Sequence, residues 1–217
     1  MSIVLKVTDK DQHNLRRLQH YLPDGTAEPL FRLLKEHRVA LRIKKPRATK
    51  LGDYRHPHGH QGHRISINSN LNPFAFFVTL VHELAHLVTW NEHRNRTAPH
   101  GAEWKRNFQL LLAPFIREEV LPDDIHRALE KTLKSPGASS CNDLNLSRAL
   151  SRYDQQKEVV LEHLPSGSIF QLKNGKRFRK GNQLRKRFKC LCLDDNRWYY
   201  VHPLVPVEAE IESTKSL

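Results

Sequence analysis

The sequence predicts an α+β fold, in which helices and a small sheet form a first domain and a small all-β domain follows. Three observations predict it. Leucines recur at helical spacing near the start, an almost wholly apolar segment runs from Pro73 to about Trp90, and short alternating segments begin after Glu158. We expect a first domain over residues 1–135, a linker or helical connector over 136–157, and a small basic β domain over 158–217.

The first forty residues predict two helices, and two strands follow them. Residues 9–22 and 27–38 carry leucines at helical spacing, and Pro23 ends the first of these segments. In residues 39–44, Val, Leu and Ile alternate with Ala, Arg and Lys, and "RISINS" at 64–69 alternates again. Alternation with a period of two is typical of a strand with one buried face.

Four further helices are expected before the β domain. Residues 73–90 are apolar on almost all sides, so that helix should be buried. A second helix should follow Pro99 and end at Pro114, and two more are expected over 122–134 and 143–152. The last two are separated by "SPGASS", a predicted linker at 135–140.

The β domain is indicated by its turn and strand patterns. Asn174-Gly175 lies between two strand-like runs and is a strong hairpin signal. The segments "FKCLCL" and "RWYYVHPLVPV" also resemble strands.

Composition favours a folded protein with a polyanionic partner. Lysine and arginine outnumber aspartate and glutamate by 36 to 23, a formal net charge of +13. Three cysteines without a spacing pattern do not form a disulfide framework and indicate a reducing compartment. No long apolar run marks a signal peptide or a spanning helix, so we expect a cytoplasmic protein without a membrane partner.

The segment "TLVHELAHLVTW", residues 79–90, places His82, Glu83 and His86 inside the apolar helix. Histidines at i and i+4 lie one above the other and can bind one metal ion, whereas the residue after the first projects about 100° away. In H-E-x-x-H zinc hydrolases that glutamate accepts a proton from the attacking water. The pattern therefore predicts a metal site with Glu83 as catalytic base. The alternative is two core histidines satisfied by backbone partners.

A catalytic zinc site needs a third protein ligand and an open position for water. His100 is the first choice, because a helix beginning near it would place it on one face with Trp104 and Phe108. That face would be directed toward the apolar helix that carries His82 and His86. Two alternatives stay open. His93 lies one residue beyond the metzincin spacing and lacks the glycine of that motif. Glu103 is either a carboxylate ligand or a partner that orients a ligand.

Four ordered segments resemble the SprT-like family, relatives of the Spartan DNA-dependent proteases. They are "LGDY" at 51–54, "ISINSNL" at 65–71, "VHELAH" at 81–86 and "HGAEWKRNF" at 100–108. This resemblance implies a compact zincin-like metalloprotease fold in which His82, His86 and His100 bind one Zn²⁺ ion and Glu83 is the base. It also implies substrates bound or crosslinked to DNA. We expect the strand matching "RISINS" to flank the cleft and pair with an extended substrate.

The tail of the chain departs from the family. Many SprT-like proteins carry a zinc ribbon with four cysteine ligands after the protease domain, but here only Cys190 and Cys192 fall in that region. On a strand their side chains share one face, which suits packing in a core. A second zinc site completed by His202 or Cys141 is the alternative.

Residues 173–189, "KNGKRFRKGNQLRKRFK", contain nine basic residues and no acidic ones. Such a tract suits phosphate contacts, with bases stacking on Phe178 or Phe188. The expected nucleic-acid contacts are its nine cations: Lys173, Lys176, Arg177, Arg179, Lys180, Arg185, Lys186, Arg187 and Lys189. A second acid-free tract runs from Arg38 to Lys50. For such tracts the alternative is a solvated basic surface.

Together these observations predict a zinc-dependent metalloendopeptidase that binds DNA without sequence preference and cleaves DNA-bound or DNA-crosslinked proteins. Two other classes stay open. One is a non-enzymatic nucleic-acid-binding protein with a structural metal. The other is a general intracellular metallopeptidase without DNA dependence.

Overall fold

The computed structural model describes residues 8–47, 49–118, 120–134 and 143–209. The chain divides into two compact units, Met1–Gln155 and Gln156–Leu217. Six α-helices and two small sheets occur in the described ranges, which confirms the predicted α+β class.

The first unit contains the six helices and a three-stranded sheet. In chain order they are α1 (Asp9–Gln19), α2 (Ala27–Glu36), β1 (Ala40–Lys44), β2 (Gly52–Arg55), β3 (Arg64–Asn68), α3 (Pro73–His93), α4 (Ala102–Arg117), α5 (Asp123–Lys134) and α6 (Leu144–Ser151). Strand β2 was not predicted, because its sequence "GDYR" has a single apolar side chain and no alternation.

The three-stranded sheet has the order β1-β3-β2. Strand β3 runs parallel to β1 and antiparallel to β2, so it is the central strand. Its Ile65 and Ile67 are fully buried in the core that the sheet shares with α3. The period-two pattern of "RISINS" therefore reflects one face packed on the core and one face turned away from it.

Helix α3 is the centre of this core. Asn72 caps its first turn by accepting a hydrogen bond from the Ala75 N–H, and Pro73 occupies the first helical position, where no N–H is needed. The Asn72 amide also donates to the Leu150 carbonyl at 2.9 Å and to Asp154. The start of α3 is thereby joined to the segment around α6.

Helix α3 is also the one helix among the described residues that is long and apolar enough to cross a membrane. Of its most apolar window, 67% is buried inside the first unit, as is usual for the central helix of a folded domain. The cytoplasmic location and the absence of a membrane partner stay predictions.

Helix α4 continues through Pro114 to Arg117, so the predicted stop at Pro114 is wrong. A proline within a helix lacks the N–H that would bond to the carbonyl four residues earlier, and its ring crowds that carbonyl, but the turn that follows it can still form. Here Glu118 donates its N–H to the Pro114 carbonyl at 3.0 Å.

The region predicted as a connector, residues 136–157, contains α6, which packs on α5 and α3 within the first unit. The Tyr153 hydroxyl donates to Asp124 at 2.8 Å, and Thr132 donates to Asp143 at 2.7 Å. The compact unit accordingly extends to Gln155 rather than ending at 135. The predicted linker at 135–140 and Cys141 lie outside the described residues.

The second unit is a five-stranded sheet preceded by a short 3₁₀-helix, Leu161–His163. Its strands are β4 (Ile169–Gln171), β5 (Arg177–Leu184), β6 (Arg187–Cys192), β7 (Trp198–Val201) and β8 (Glu208–Ala209). Their order is β7-β6-β5-β4-β8, with antiparallel neighbours. The turn between β4 and β5 contains Gly175 at φ +82°, a left-handed conformation that glycine adopts without strain.

Cys190 and Cys192 are fully buried in the apolar core of this second unit, together with Phe170, Phe178 and Phe188. Both thiols are free and lie on one face of β6. No group of three metal-ligating side chains surrounds them in the ranges that the structure describes. Their placement fits apolar packing.

Candidate metal centre and basic surface

Three imidazoles converge in the first unit. His82 and His86 lie one turn apart on α3, and their Nε2 atoms are 3.1 Å apart. The Nε2 atom of His100 lies 3.0 Å from each of them. His82 is only 4% exposed, whereas His86 and His100 are half-buried. Three nitrogen donors therefore point at one place beside a cavity.

The donor set fits a zinc ion. In a tetrahedral site with Zn–N distances of about 2.0–2.1 Å, the nitrogens are separated by ~3.3 Å, close to the distances found here. Burial, with a smaller contribution from neighbouring imidazoles, lowers the pKa of His82 to about 3 and that of His86 to about 4. Burial also lowers the pKa of His100. The imidazoles are neutral at neutral pH, which is the form that binds a metal.

His100 reaches the cluster from a loop rather than from a helix. Helix α4 begins at Ala102 with Gly101 as its N-cap, and His100 precedes that cap with φ +59°. A histidine in the left-handed region carries a conformational cost, which persists where the surrounding structure imposes it. The prediction that His100 lies near the helix of His82 and His86, α3, is correct. The reason given for it, helical spacing with Trp104 and Phe108, is wrong.

Trp104 on α4 fixes the imidazoles from behind. Its ring centroid lies 4.7 Å from those of His82 and His100 and 5.4 Å from that of His86. The indole is 1% exposed and stacks on Phe108. A rigid aromatic wall of this kind restricts the histidine rotamers and preorganises the donor atoms.

The two alternative ligands lie outside the cluster. His93 is at the end of α3, where its Nε2 lies 3.5 Å from Glu92. Glu103 is in the first turn of α4. In the described part of the chain, the cluster able to hold a metal comprises His82, His86 and His100.

Glu83 is directed away from the imidazoles toward strand β2, yet its side chain lines the same cavity. It is 7% exposed, and its carboxylate accepts a hydrogen bond from the Tyr54 backbone N–H. Burial and, to a smaller extent, the charge of Asp53 raise the pKa of Glu83 to about 7. A carboxylate of this kind, held rigidly beside a metal-ligand cluster, is suited to accept and return a proton.

The cavity extends to both sides of the histidine cluster. One part, of about 630 Å³, is lined by β2, Glu83 and residues of α6. A second part, of about 370 Å³, is lined by Trp90 and the loop after α3. The two parts share Tyr54, His86, Pro99 and His100. Both parts therefore border the histidine cluster.

The hypothesis that "RISINS" pairs with a substrate is wrong, because both edges of β3 are occupied by β1 and β2. The exposed edge at the cavity belongs to β2. Asn68 donates its N–H to the Leu51 carbonyl at 2.9 Å, and backbone groups in an antiparallel pair alternate in direction. Those of Gly52 and Tyr54 consequently point away from β3, in agreement with the Tyr54 hydrogen bond to Glu83.

Residues 18–120 match the model of the SprT-like family. These residues form a SprT-like domain. The match includes β2, the three histidines and Glu83, and SprT-like domains are of the zinc metallopeptidase type. No curated protein and no solved structure is detectably similar to the chain.

Gly52 belongs to the segment "LGDY" that resembles the SprT-like family. The sequence assigned no role to this glycine, and the structure gives it one. A Cβ atom at this position would collide with the Glu83 carboxylate and lie 2.7 Å from Thr79 Cγ2. The φ angle of Gly52 is not in the left-handed region, so the requirement is for space rather than for backbone freedom. This role could not be found in the sequence, because β2 and α3 meet only in the fold.

We expect Gly52→Ala to slow peptide hydrolysis by the SprT-like domain ~100-fold, because displacing a catalytic group by about 1 Å costs that much. Zinc content should not change, since none of the three imidazoles is touched. Gly62→Ala is the matched control, because a Cβ there meets nothing closer than the Arg38 carbonyl at 4.0 Å. Steady-state cleavage rates and metal analysis of both variants test this, and equal rates would contradict it.

Outside the SprT-like domain, the expected nucleic-acid contacts in residues 173–189 divide by environment. Lys180 is 5% exposed and donates to the carbonyls of Glu162 and Leu164, so its expected phosphate contact is wrong. Phe178 and Phe188 are core residues, so neither can stack on a base. The other eight cations lie on the surface or partly on it: Lys173, Lys176, Arg177, Arg179, Arg185, Lys186, Arg187 and Lys189.

Some of these surface cations are paired with carboxylates. Lys173 lies 2.7 Å from Glu158, and Lys176 lies 3.5 Å from Asp195. In the earlier tract, Arg47 donates to Asn68 and Ser66 beside the cavity. Part of the basic composition is therefore engaged in contacts within the chain.

Proposed function

We propose that the chain is a zinc-dependent metalloendopeptidase, with a zincin-like catalytic domain, that acts on proteins bound or crosslinked to DNA. The observation that carries the proposal is the convergence of three neutral imidazoles beside a buried glutamate in one cavity. The SprT-like domain supports the same class of activity.

His82, His86 and His100 would hold one Zn²⁺ ion. When bound, zinc supplies Lewis-acid activation of water and of the scissile carbonyl. Glu83 accepts the proton of the attacking water and passes it to the leaving amine. The Tyr54 N–H holds the Glu83 carboxylate in position for both transfers. Gly52, which has no side chain, leaves room for that carboxylate.

The shape of the cavity supports cleavage within a chain. Its two parts meet at the histidines, so residues on both sides of the scissile bond have room. The outward backbone groups of Gly52 and the outward carbonyl of Tyr54 on β2 offer hydrogen bonds to an extended segment, while the Tyr54 N–H is engaged by Glu83. An unfolded or extended stretch of protein is the substrate form that fits.

Association with DNA is supported by the charge of the chain and the surface cations of the second unit. Contacts to phosphates carry no sequence information, so binding should be independent of sequence. A cytoplasmic location belongs to the same proposal.

The experiment measures cleavage of a basic DNA-binding protein by the full chain, without DNA and with single- or double-stranded DNA. We expect one zinc per chain, loss of cleavage on chelation, recovery on adding zinc, and stimulation by DNA that weakens as salt rises. Absence of cleavage at full zinc occupancy would contradict the peptidase. Equal rates with and without DNA at low salt would indicate a general metallopeptidase.

A further inference from the structure

The second unit exposes two aromatic rings on one face of β7. Trp198 is 56% exposed and Tyr200 is 59% exposed. Side chains alternate along a strand, so both belong to the outer face of the sheet, while Tyr199 between them belongs to the other face. There the Tyr199 hydroxyl donates to Asp195 at 2.7 Å. Neither Trp198 nor Tyr200 contributes to the core of the unit.

Strand pairing places cations beside these rings. Lys189 lies opposite Tyr200, and its Nζ is 4.7 Å from the centre of the Trp198 ring. Leu191 lies opposite Trp198, and Arg179 lies opposite Leu191 on the next strand. Residues directly opposite one another share a face, so a row of side chains joins Trp198 to Arg179.

Arg187 completes the set, since it lies two residues before Lys189 on the same face of β6. Among the described residues, no carboxylate forms an ion pair with Arg179, Arg187 or Lys189. The neighbouring cations Lys173 and Lys176 do have such partners. The positive charge next to the two rings is therefore not neutralised locally.

Exposed aromatic rings flanked by cations suit one ligand chemistry, a strand with stacked bases on the rings and phosphates on the cations. Residues at i and i+2 of a strand are ~6.7 Å apart, whereas successive bases of a duplex are ~3.4 Å apart. Both rings can be used only by bases that are no longer stacked on each other.

We infer that the outer face of β5–β6–β7 binds single-stranded DNA, with Trp198 and Tyr200 stacking on unpaired bases and Arg179, Arg187 and Lys189 contacting phosphates. This inference rests on the proposed association with DNA and names its surface and strand form. It replaces the stacking role expected of Phe178 and Phe188 with that of two residues beyond the basic tract.

The test measures anisotropy of a labelled oligothymidylate, and of a duplex of equal length, with the full chain. Trp198→Ala and Tyr200→Ala should each weaken single-strand binding ~5- to 150-fold, the loss of one base–aromatic stack. Trp198→Phe should retain most of the affinity, because it keeps an aromatic face. Lys189→Gln should reduce the slope of log K against log salt by about 0.7. Val159→Ala, which truncates an exposed apolar residue in the same unit, is the control.

The midpoints of thermal unfolding of all variants check that they fold. Substitutions at these exposed positions should leave the midpoints unchanged. Wild-type affinity in both alanine variants would overturn this surface and leave the association with DNA intact. Tighter binding of the duplex than of the single strand would also overturn it. Failure of the wild type to bind either DNA at low salt would remove the proposed DNA association itself, independently of peptidase activity.

Discussion

The Glu83→Gln variant should bind one zinc ion as the wild type does and cleave protein substrates ~10²- to 10⁴-fold more slowly, the contribution typical of a general base. Glutamine has nearly the same shape as glutamate, so it fits beside Gly52, and its amide oxygen can accept the Tyr54 N–H. It cannot accept the proton of the attacking water. The three imidazoles that hold the metal are unchanged.

Zinc content by elemental analysis and cleavage rates at saturating zinc measure the two halves of this prediction. Glu36→Gln, at the exposed end of α2, is the matched control for loss of one carboxylate. Full zinc occupancy with unchanged cleavage would mean that the carboxylate has no catalytic part. Zinc retained with no cleavage by either variant or by the wild type would favour a structural metal.

Features that depend on neighbours in the sequence could be predicted without the structure. The i and i+4 spacing of His82 and His86 follows from helix geometry alone, and the apolar character of α3 indicates that this helix is buried. The assignment of His100 as the third ligand could not be made from helix geometry alone. It relied on an assumed helix and on the family resemblance. The structure brings it to the other two through a left-handed backbone conformation that spacing does not reveal.

Features made by distant segments could not be predicted in this way. The contact of Gly52 with Glu83 joins positions 31 residues apart, and the strand that contains Gly52 has no alternating pattern. The burial of Lys180 is also non-local, because carbonyls of the 3₁₀-helix region accept its hydrogen bonds. Its side chain shares a face with Phe178, and only the tertiary partners allow a cation there.

The orientation of Phe188, one of the aromatic residues in the second unit, was available from the sequence. Phe188, Cys190 and Cys192 alternate with Arg187 and Lys189, and a strand with that pattern turns its apolar side chains inward. Phe188 therefore belongs to the core. The run Trp198-Tyr199-Tyr200 gives no such signal, because all three residues are aromatic and the face of each is fixed only by its pairing with β6.

Removal of the third imidazole should have the largest effect on the metal. We expect His100→Ala to weaken zinc binding by more than ~100-fold, beyond the loss caused by removing a residue that only orients a ligand. Two nitrogens on α3 would remain 3.1 Å apart, and they do not complete a three-ligand site. Peptide hydrolysis should be lost together with the metal.

His100→Asn separates ligand loss from backbone strain, because asparagine tolerates the left-handed conformation that alanine disfavours. Both variants should lose zinc, whereas His13→Ala, on the exposed face of α1, should keep it. Competition with a metal indicator at fixed free zinc measures the affinities. Wild-type affinity in both His100 variants would mean that another side chain supplies the third ligand. In that case Glu103 and His93, on the two elements that flank the loop of His100, are the positions to substitute next.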